Sequence, residues 1–166
     1  MTATCQALTI FPIVVLTVAR IMRICLQRVR SGRVKIDGEI VGEIGNGLVL
    51  LVGFKKGDTE DLIEPMAKRV VNMRIFEDDQ DKMNLSLLDL GHSLLVVSQF
   101  TLYANSEKGR RPSFTEALEP ALAEKYYLRL VEVFRSMNLD VATGKFGAKM
   151  LVEIANWGPV TMILDA

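Results

Sequence analysis

Histidine is almost missing from this chain: His92 is the only one among 166 residues. It follows Gly91 in a predicted turn, and no cysteine or carboxylate stands at ligand spacing from it. That excludes a readable zinc centre and a Ser-His-Asp arrangement. Cysteine is nearly as scarce. Cys5 and Cys25 cannot form a disulfide framework. Cys25 alternates with apolar neighbours and reads as a small buried hydrophobe in a reducing compartment. Charge of either sign is not in excess, because 20 Lys and Arg balance 20 Asp and Glu. No whole-molecule field draws the chain toward nucleic acid, so an RNA contact needs a local patch. Phosphate-loop chemistry is missing too: Gly45-Asn46-Gly47 precedes a strand pattern where a helix is required. The acidic group Glu77, Asp78, Asp79 and Asp81 lacks the glycine and closing glutamate of a calcium loop and reads as a solvated loop. The sequence therefore points to no metal and no cofactor.

Residues 1–21 stand apart. The apolar stretch Ala7 to Ala19 contains Pro12 and is too short to span a bilayer comfortably. No positive charge precedes it, as a secretory signal would need. The favoured reading is an appended tail, or translation begun upstream of the usual start. An organellar transit peptide is the second reading, since no acidic residue occurs before Asp37 and arginines follow, and a membrane anchor is the third. Met22 is the natural first residue of a domain spanning 22–166.

From Met22 onward the chain reads as alternating strands and turns. Residues 23–29 alternate with period two and predict a half-buried strand, which Gly32 interrupts and 34–36 resume. Asp37-Gly38 is a hairpin signal with 39–44 as the return strand. Leu48 to Val52 is continuously apolar and predicts a strand buried on both faces. Asp58 and Thr59 are candidate caps for a helix paced by Leu62, Met66, Val70 and Met73, with Pro65 either kinking it or lying in its first turn. A short strand is expected at 74–76 and a longer one over 93–103. Pro120 opens the clearest helix, whose apolar face is Ala123, Tyr127, Leu130, Phe134 and Met137, ending near Asn138. Three more strands are expected at 141–143, 151–154 and 160–164. No repeat or linker divides the chain, so the expected fold is one α+β domain in which strands predominate.

Two segments carry the functional signal: Ser98-Gln99-Phe100-Thr101-Leu102 and Asn156-Trp157-Gly158-Pro159-Val160-Thr161. By themselves Ser98 and Thr101 are ordinary strand hydroxyls. Phe100 would be core, and Gly158-Pro159 would be a turn with the usual trans bond. These segments occur in fixed order with others: residues 22–29, 84–87, 109–114 (Gly-Arg-Arg-Pro-Ser-Phe) and 144–150 (Gly-Lys-Phe-Gly-Ala-Lys-Met). Together they resemble the D-aminoacyl-tRNA deacylases over essentially all of Met22 to Asp165.

The resemblance implies a dimeric deacylase-like fold with barrel-like sheets and two main helices. It implies a homodimer with active sites at the subunit interface, where a cis Gly158-Pro159 of one subunit enters the pocket of the other. Its carbonyl oxygens would exclude L-aminoacyl groups and admit D-aminoacyl and glycyl groups. Arg28 would brace that element. Ser98, Gln99, Phe100 and Thr101 would line the catalytic pocket, with backbone N–H groups near Phe100 and Thr101 meeting the ester oxygen. Phe146 and Met150 would pack on the terminal adenosine, and Lys108, Arg110 and Arg111 would contact acceptor-stem phosphates or remain a solvated basic loop. The implied reaction is ester hydrolysis of D-aminoacyl-tRNA, a chiral proofreading step, assisted by the ribose 2′-hydroxyl. Thr101 as a nucleophile ranks lower, because no base to activate it is identifiable. Trp157 departs from the smaller or polar residue expected there, and is expected to pack at the subunit interface or alter tRNA access. The expected setting is the cytoplasm, with no DNA and no membrane partner. Two alternatives remain: a paralogue with a trans Gly-Pro bond acting on small L-aminoacyl-tRNA, and a non-catalytic nucleic-acid-binding module using the 108–111 loop.

Overall fold

A computed structural model describes residues 22–107 and 109–166. The predictions for residues 1–21 and for Lys108 lie outside the described residues.

One long strand organises the domain. β1 (Arg23–Ile36) pairs antiparallel along one edge with β8 (Leu151–Asp165). Its other edge is shared by β3 (Gly47–Gly53) in the first half and β2 (Glu39–Ile44) in the second. The turn between β1 and β2 is Asp37-Gly38, with φ of 51° and 90°, the left-handed pair that a two-residue hairpin needs. Gly32 does not break β1 as expected. A β-carbon there would lie 2.6 Å from Val49 Cγ2, so glycine serves close packing inside a continuous strand.

β3 pairs in parallel with β6 (Ser93–Ser98), and β6 in parallel with β7 (Val141–Thr143). Parallel neighbours need crossovers. The first contains α1 (Ile63–Val71), the short hairpin of β4 (Phe76–Glu77) and β5 (Met83–Leu85), and the single-turn α2 (Leu87–Leu90). The second is α3 (Pro120–Ser136). The sheet then curls until β2 meets β7: a β-carbon on Gly42 would fall 2.4 Å from the Thr143 carbonyl oxygen. The result is a barrel-like sheet with two main helices, as expected.

The principal core lies between this sheet and α1 and α3. It joins Ile24, Leu26, Leu50, Leu94 and Val96 to Met66, Val70, Leu130 and Phe134. A smaller cluster of Val29, Val34, Ile44, Val49, Leu95 and Val97 fills the curl. Tyr127 ties the layers, its hydroxyl donating to the Val96 carbonyl at 2.8 Å. Pro120 is the first residue of α3, where a missing N–H costs nothing. Asn138, at φ 59°, ends that helix. Pro65 lies in the first turn of α1.

Four elements differ from expectation. The strand begun at Ser93 stops at Ser98, and Phe100–Tyr103 form a tight 3-10 turn. The predicted strands at 151–154 and 160–164 are one strand, because β1 pairs with residues on both sides of Gly158-Pro159. The short strand at 74–76 is shifted to Phe76–Glu77. α2 was not anticipated, although Ser86 and Asp89 form a reciprocal capping box at its start. Asp58 caps no helix: it is buried, and its Oδ2 accepts the Lys55 N–H at 2.7 Å.

Candidate active site

The parallel strands β3, β6 and β7 all end at the same side of the sheet, and ligands of parallel sheets gather at such carboxyl ends. A cavity of about 440 Å³ opens there. Its floor is Val52-Gly53-Phe54 from the end of β3 and Ser98-Gln99-Phe100 from the end of β6, and its walls include Phe114, Leu118, Pro120 and Phe146. The lining is predominantly apolar, as small-ligand sites are.

The local fold explains why Gln99 and Phe100 reach it. Val52 stands opposite Ser98, and the Gln99 N–H makes one last bond to the Val52 carbonyl at 2.7 Å. The chain then turns as the Leu102 N–H bonds back to the Gln99 carbonyl at 3.3 Å. Gly53 permits this, since a β-carbon there would be 2.9 Å from the Gln99 oxygen and 3.1 Å from the Tyr103 ring. Phe100 consequently leaves the core: it is 57% exposed and meets Phe114 edge to face at 5.0 Å. The N–H groups of Phe100 and Thr101 open a 3-10 turn, where donors have no carbonyl one turn back. Thr101 does not line the cavity; its hydroxyl accepts from the Gln99 side-chain amide.

Phe146 joins the wall and packs against Tyr127 at 5.9 Å. Met150 does not line the cavity. It packs beside the inner cluster, close against Gly144. Arg110 and Arg111 lie exposed on the loop that Asn105 and Ser113 close by a two-residue bridge, immediately before Phe114. Phe114, Leu118 and Glu119 received no site role from sequence. Phe114 lay inside the quoted Gly109–Phe114 segment, and that was the only signal available.

The second constellation is built around Arg28. Along β1, Gln27 pairs with Thr161 and Val29 with Asn156, so residues 157–160 stand opposite Arg28 alone. This is an extended bulge. Asn156 closes it: its Oδ1 accepts the Val160 N–H at 3.2 Å and its Nδ2 donates to Thr161 Oγ1 at 2.8 Å. Arg28 is only 1% exposed. A guanidinium so deep must be paired. Its Nε donates to the Trp157 carbonyl at 3.1 Å, Nη1 to the Ile75 carbonyl at 2.7 Å, and Nη2 to Glu77 Oε1 at 3.3 Å. Glu77 is therefore an ion-pair partner, which the reading of a wholly solvated acidic loop missed. The neighbouring Asp78 does organise that loop, accepting from the Asn84 side chain and from the Gln80 and Lys82 N–H groups, and these bonds hold its carboxyl below the usual range.

Gly158 has φ 123° and its bond to Pro159 is cis, the geometry that the resemblance implies. Both residues are exposed, and neither lines the cavity of its own chain. Trp157 packs within its own chain: Arg28 Cζ lies 4.2 Å and Arg30 Cζ 3.5 Å from its ring centroid. His92 is far from catalytic company. It packs edge to face on Phe76 at 5.3 Å, and burial, then the nearby Arg30 charge, lower its pKa. Among the described residues no group of His, Cys, Asp or Glu could hold a metal ion, and no helix is long and apolar enough to cross a membrane.

Known proteins resemble this chain in sequence and in fold. The family model described as D-Tyr-tRNA(Tyr) deacylase matches residues 25–165. A curated protein of Aquifex aeolicus, named D-aminoacyl-tRNA deacylase, is 51% identical over 145 residues, covering 87% of this chain and 98% of its own. One of Thermosipho africanus with the same name is 48% identical over 145 residues, covering 87% and 97%. Among solved structures, a c-Myc DNA unwinding element binding protein superposes with TM-score 0.81 at 37% identity, over 87% of this chain and 98% of that one. A probable eukaryotic D-amino acid tRNA deacylase, with TM-score 0.76 at 18% identity over 87% and 99%, shares the fold. On this match along nearly the whole domain, the chain belongs to the D-Tyr-tRNA(Tyr) deacylase family.

Proposed function

We propose that this chain hydrolyses the ester between a D-amino acid and the terminal ribose of tRNA, and that residues 22–166 form the deacylase domain. The observation that carries this reading is identity near one half, over the entire domain, to curated deacylases. The apolar cavity at the ends of β3, β6 and β7 supports it, being sized for an aminoacyl group and the edge of an adenosine.

In this reading a water oxygen attacks the ester carbonyl carbon, the bond to the ribose oxygen breaks, and that oxygen leaves with a proton. The Phe100 and Thr101 N–H groups face the charge that develops on the carbonyl oxygen. The ribose 2′-hydroxyl handles the proton, because the cavity offers no histidine and its one carboxylate, Glu119, is occupied. Glu119 accepts the Leu122 and Ala121 N–H groups at the start of α3. Gln99 orients the Thr101 hydroxyl, and Ser98 closes the cavity floor. Phe146 packs on the terminal base from the wall it occupies, with Met150 assigned to the same nucleoside. Arg110 and Arg111, with Lys108, meet acceptor-stem phosphates.

Chiral selection is assigned to Gly158-Pro159, held by Arg28 and presented to the cavity of a second subunit. Exposure of this element on its own chain, apart from its own cavity, supports that assignment. An L-side chain would collide with the Gly158 and Pro159 carbonyls, whereas a glycyl group would pass. The reaction is placed in the cytoplasm. The test is turnover of D-tyrosyl-, L-tyrosyl- and glycyl-tRNA by the purified protein. D-tyrosyl- and glycyl-tRNA are expected to be cleaved and L-tyrosyl-tRNA spared. Equal turnover of the two tyrosyl enantiomers would refute the chiral assignment. One relative by fold and sequence is named for binding a DNA element, so duplex DNA belongs in the same assay as a competitor. Inhibition at low concentration would favour the nucleic-acid-binding reading.

A further inference from the structure

Trp157 is the only tryptophan in the chain, and it immediately precedes the Gly158-Pro159 pair. Its environment is unusual for a surface aromatic. Arg28 and Arg30 are two residues apart on β1, so both side chains leave the same face of the strand. Successive side chains on one face are separated by about 7 Å, which is the gap an aromatic ring fills when each of its faces meets a guanidinium. The indole lies against both guanidinium groups, its ring centroid 4.2 Å from Arg28 Cζ and 3.5 Å from Arg30 Cζ. The Trp157 carbonyl meanwhile accepts from Arg28 Nε at 3.1 Å. A β-carbon on Gly158 would lie 2.9 Å from Arg28 Nη2, so the guanidinium edge rests against the Gly158 backbone. Arg28 is thus enclosed by the indole, the Gly158 main chain, the Ile75 carbonyl and Glu77. Arg30 is exposed, and no ion pair anchors it among those of the described residues.

We propose that Trp157 is a positioning residue for chiral discrimination: clamped between Arg28 and Arg30, its indole fixes the Arg28 guanidinium and so the angle at which the Gly158 and Pro159 carbonyls are presented. Without the indole, Arg28 keeps its hydrogen bonds to the residue-157 carbonyl, Ile75 and Glu77 but loses the aromatic face on which its guanidinium rests. The carbonyls then sample a wider arc, and an L-aminoacyl side chain meets a softer barrier. The effect is expected to fall on selectivity and not on ester cleavage, because the indole does not line the cavity of its own chain and acts through Arg28. The clamp belongs to this chain's own residues, Arg30 and Trp157, and rests on the chiral role assigned to Gly158-Pro159 above.

The test uses the full chain and the variants Trp157→Ala, Trp157→Phe and Arg30→Met. Hydrolysis of D- and L-tyrosyl-tRNA is followed for each, with kcat and KM determined separately. Trp157→Ala is expected to raise L-tyrosyl-tRNA turnover relative to D by about tenfold, the size expected for losing a partly desolvated cation–aromatic contact. kcat on D-tyrosyl-tRNA should stay within about twofold, since the reacting groups are untouched. Trp157→Phe should restore most of the selectivity, because a ring still fills the gap. Arg30→Met, an exposed change that leaves the fold intact, should lose part of it. In that variant the single tryptophan should also show red-shifted emission and lower anisotropy, reporting release of the indole. A Trp157→Ala protein that keeps the native D-to-L ratio would overturn the proposal, whatever its stability. A native protein that fails to discriminate at all would instead sink the chiral assignment beneath it, before any variant is compared.

Discussion

Replacing Gly158 with alanine probes the most constrained point of the molecule. The backbone there has φ 123°, a region L-residues rarely adopt, and forcing one into it costs about 1–3 kcal/mol. The new methyl would lie 2.9 Å from Arg28 Nη2 and 2.9 Å from Val160 Cγ2. Val160 can turn away, but Arg28 cannot easily do so. Its guanidinium is buried, and Nη2 holds Glu77 at 3.3 Å. Weakening that charge-assisted bond adds roughly 1.5–2 kcal/mol. The sum is about 2.5–5 kcal/mol, a large share of the ~5–15 kcal/mol that holds a domain together. The protein should remain folded but melt about 10 °C lower or more. Urea denaturation gives the free energy, and D-tyrosyl-tRNA hydrolysis below the lowered transition gives the function. Activity should fall strongly even where the variant is fully folded, because on the proposed chiral role the displaced carbonyls no longer fit a second subunit's cavity. An alanine variant with unchanged urea midpoint would show that Arg28 and Gly158 are not packed as described. Unchanged turnover would remove Gly158 from the site.

Three further outcomes can be checked with the same protein. Thr101→Ala should retain substantial hydrolysis of D-tyrosyl-tRNA, since the Thr101 hydroxyl bonds Gln99 and does not line the cavity; complete loss of turnover would reinstate it as a nucleophile. Gly47→Ala should destabilise by about 3 kcal/mol: its β-carbon would meet the Ser93 carbonyl oxygen at 1.9 Å, and two paired strands cannot yield as a side chain can. Asp58→Asn should stabilise the protein above pH 6 and not below pH 4. Burial, opposed by the Lys55 N–H bond and charge, lifts the Asp58 carboxyl to about 6, and its Oδ1 has no hydrogen-bond partner among the described residues. Because the folded value exceeds the unfolded one, folding takes up a proton between about 4 and 6. Stability from this group is therefore full below pH 4 and is lost as pH rises through 6. The difference in unfolding free energy between native and variant, followed from pH 4 to 8, reads this directly, and a flat difference would contradict it.

Periodicity carried the strand and helix assignments wherever one face alone met the core. Residues 23–29 and the Ala123–Met137 face of α3 show this, while the unbroken apolarity of Leu48–Val52 matches a central strand, antiparallel to β1 and parallel to β6, covered on both faces. It misled at 93–103, because the alternation continues past the last ladder bond. What ends β6 is Gly53 on the neighbouring strand, which lets the Gln99 carbonyl and Leu102 approach its backbone. No window of sequence around Phe100 contains that information. Gly32 and Gly158-Pro159 misled in the opposite direction. Each resembles a break, yet each sits inside a strand, because glycine is required there for close approach and for a bulge.

The site divides the same way. Arg28 was legible only through the family resemblance, although its position is physically telling. It follows Ile24 and Leu26 on the inward phase of β1, where an arginine is costly unless its donors are met. The three acceptors that meet them come from three places: the Ile75 carbonyl after α1, Glu77 in β4, and the Trp157 carbonyl in β8. A single inward guanidinium thus fastens the first crossover and the last strand to β1. The same tie sets the direction in which Gly158 and Pro159 emerge. Removing the charge would free β4 and the bulge together, so the stability of this corner and the orientation of the element are one property of Arg28. The cavity lies elsewhere on the chain, built from β3, β6, α3 and the segment after β7. In the proposed assembly a site that needs both takes them from two copies of the chain, with Arg28 fixing what one copy offers the other.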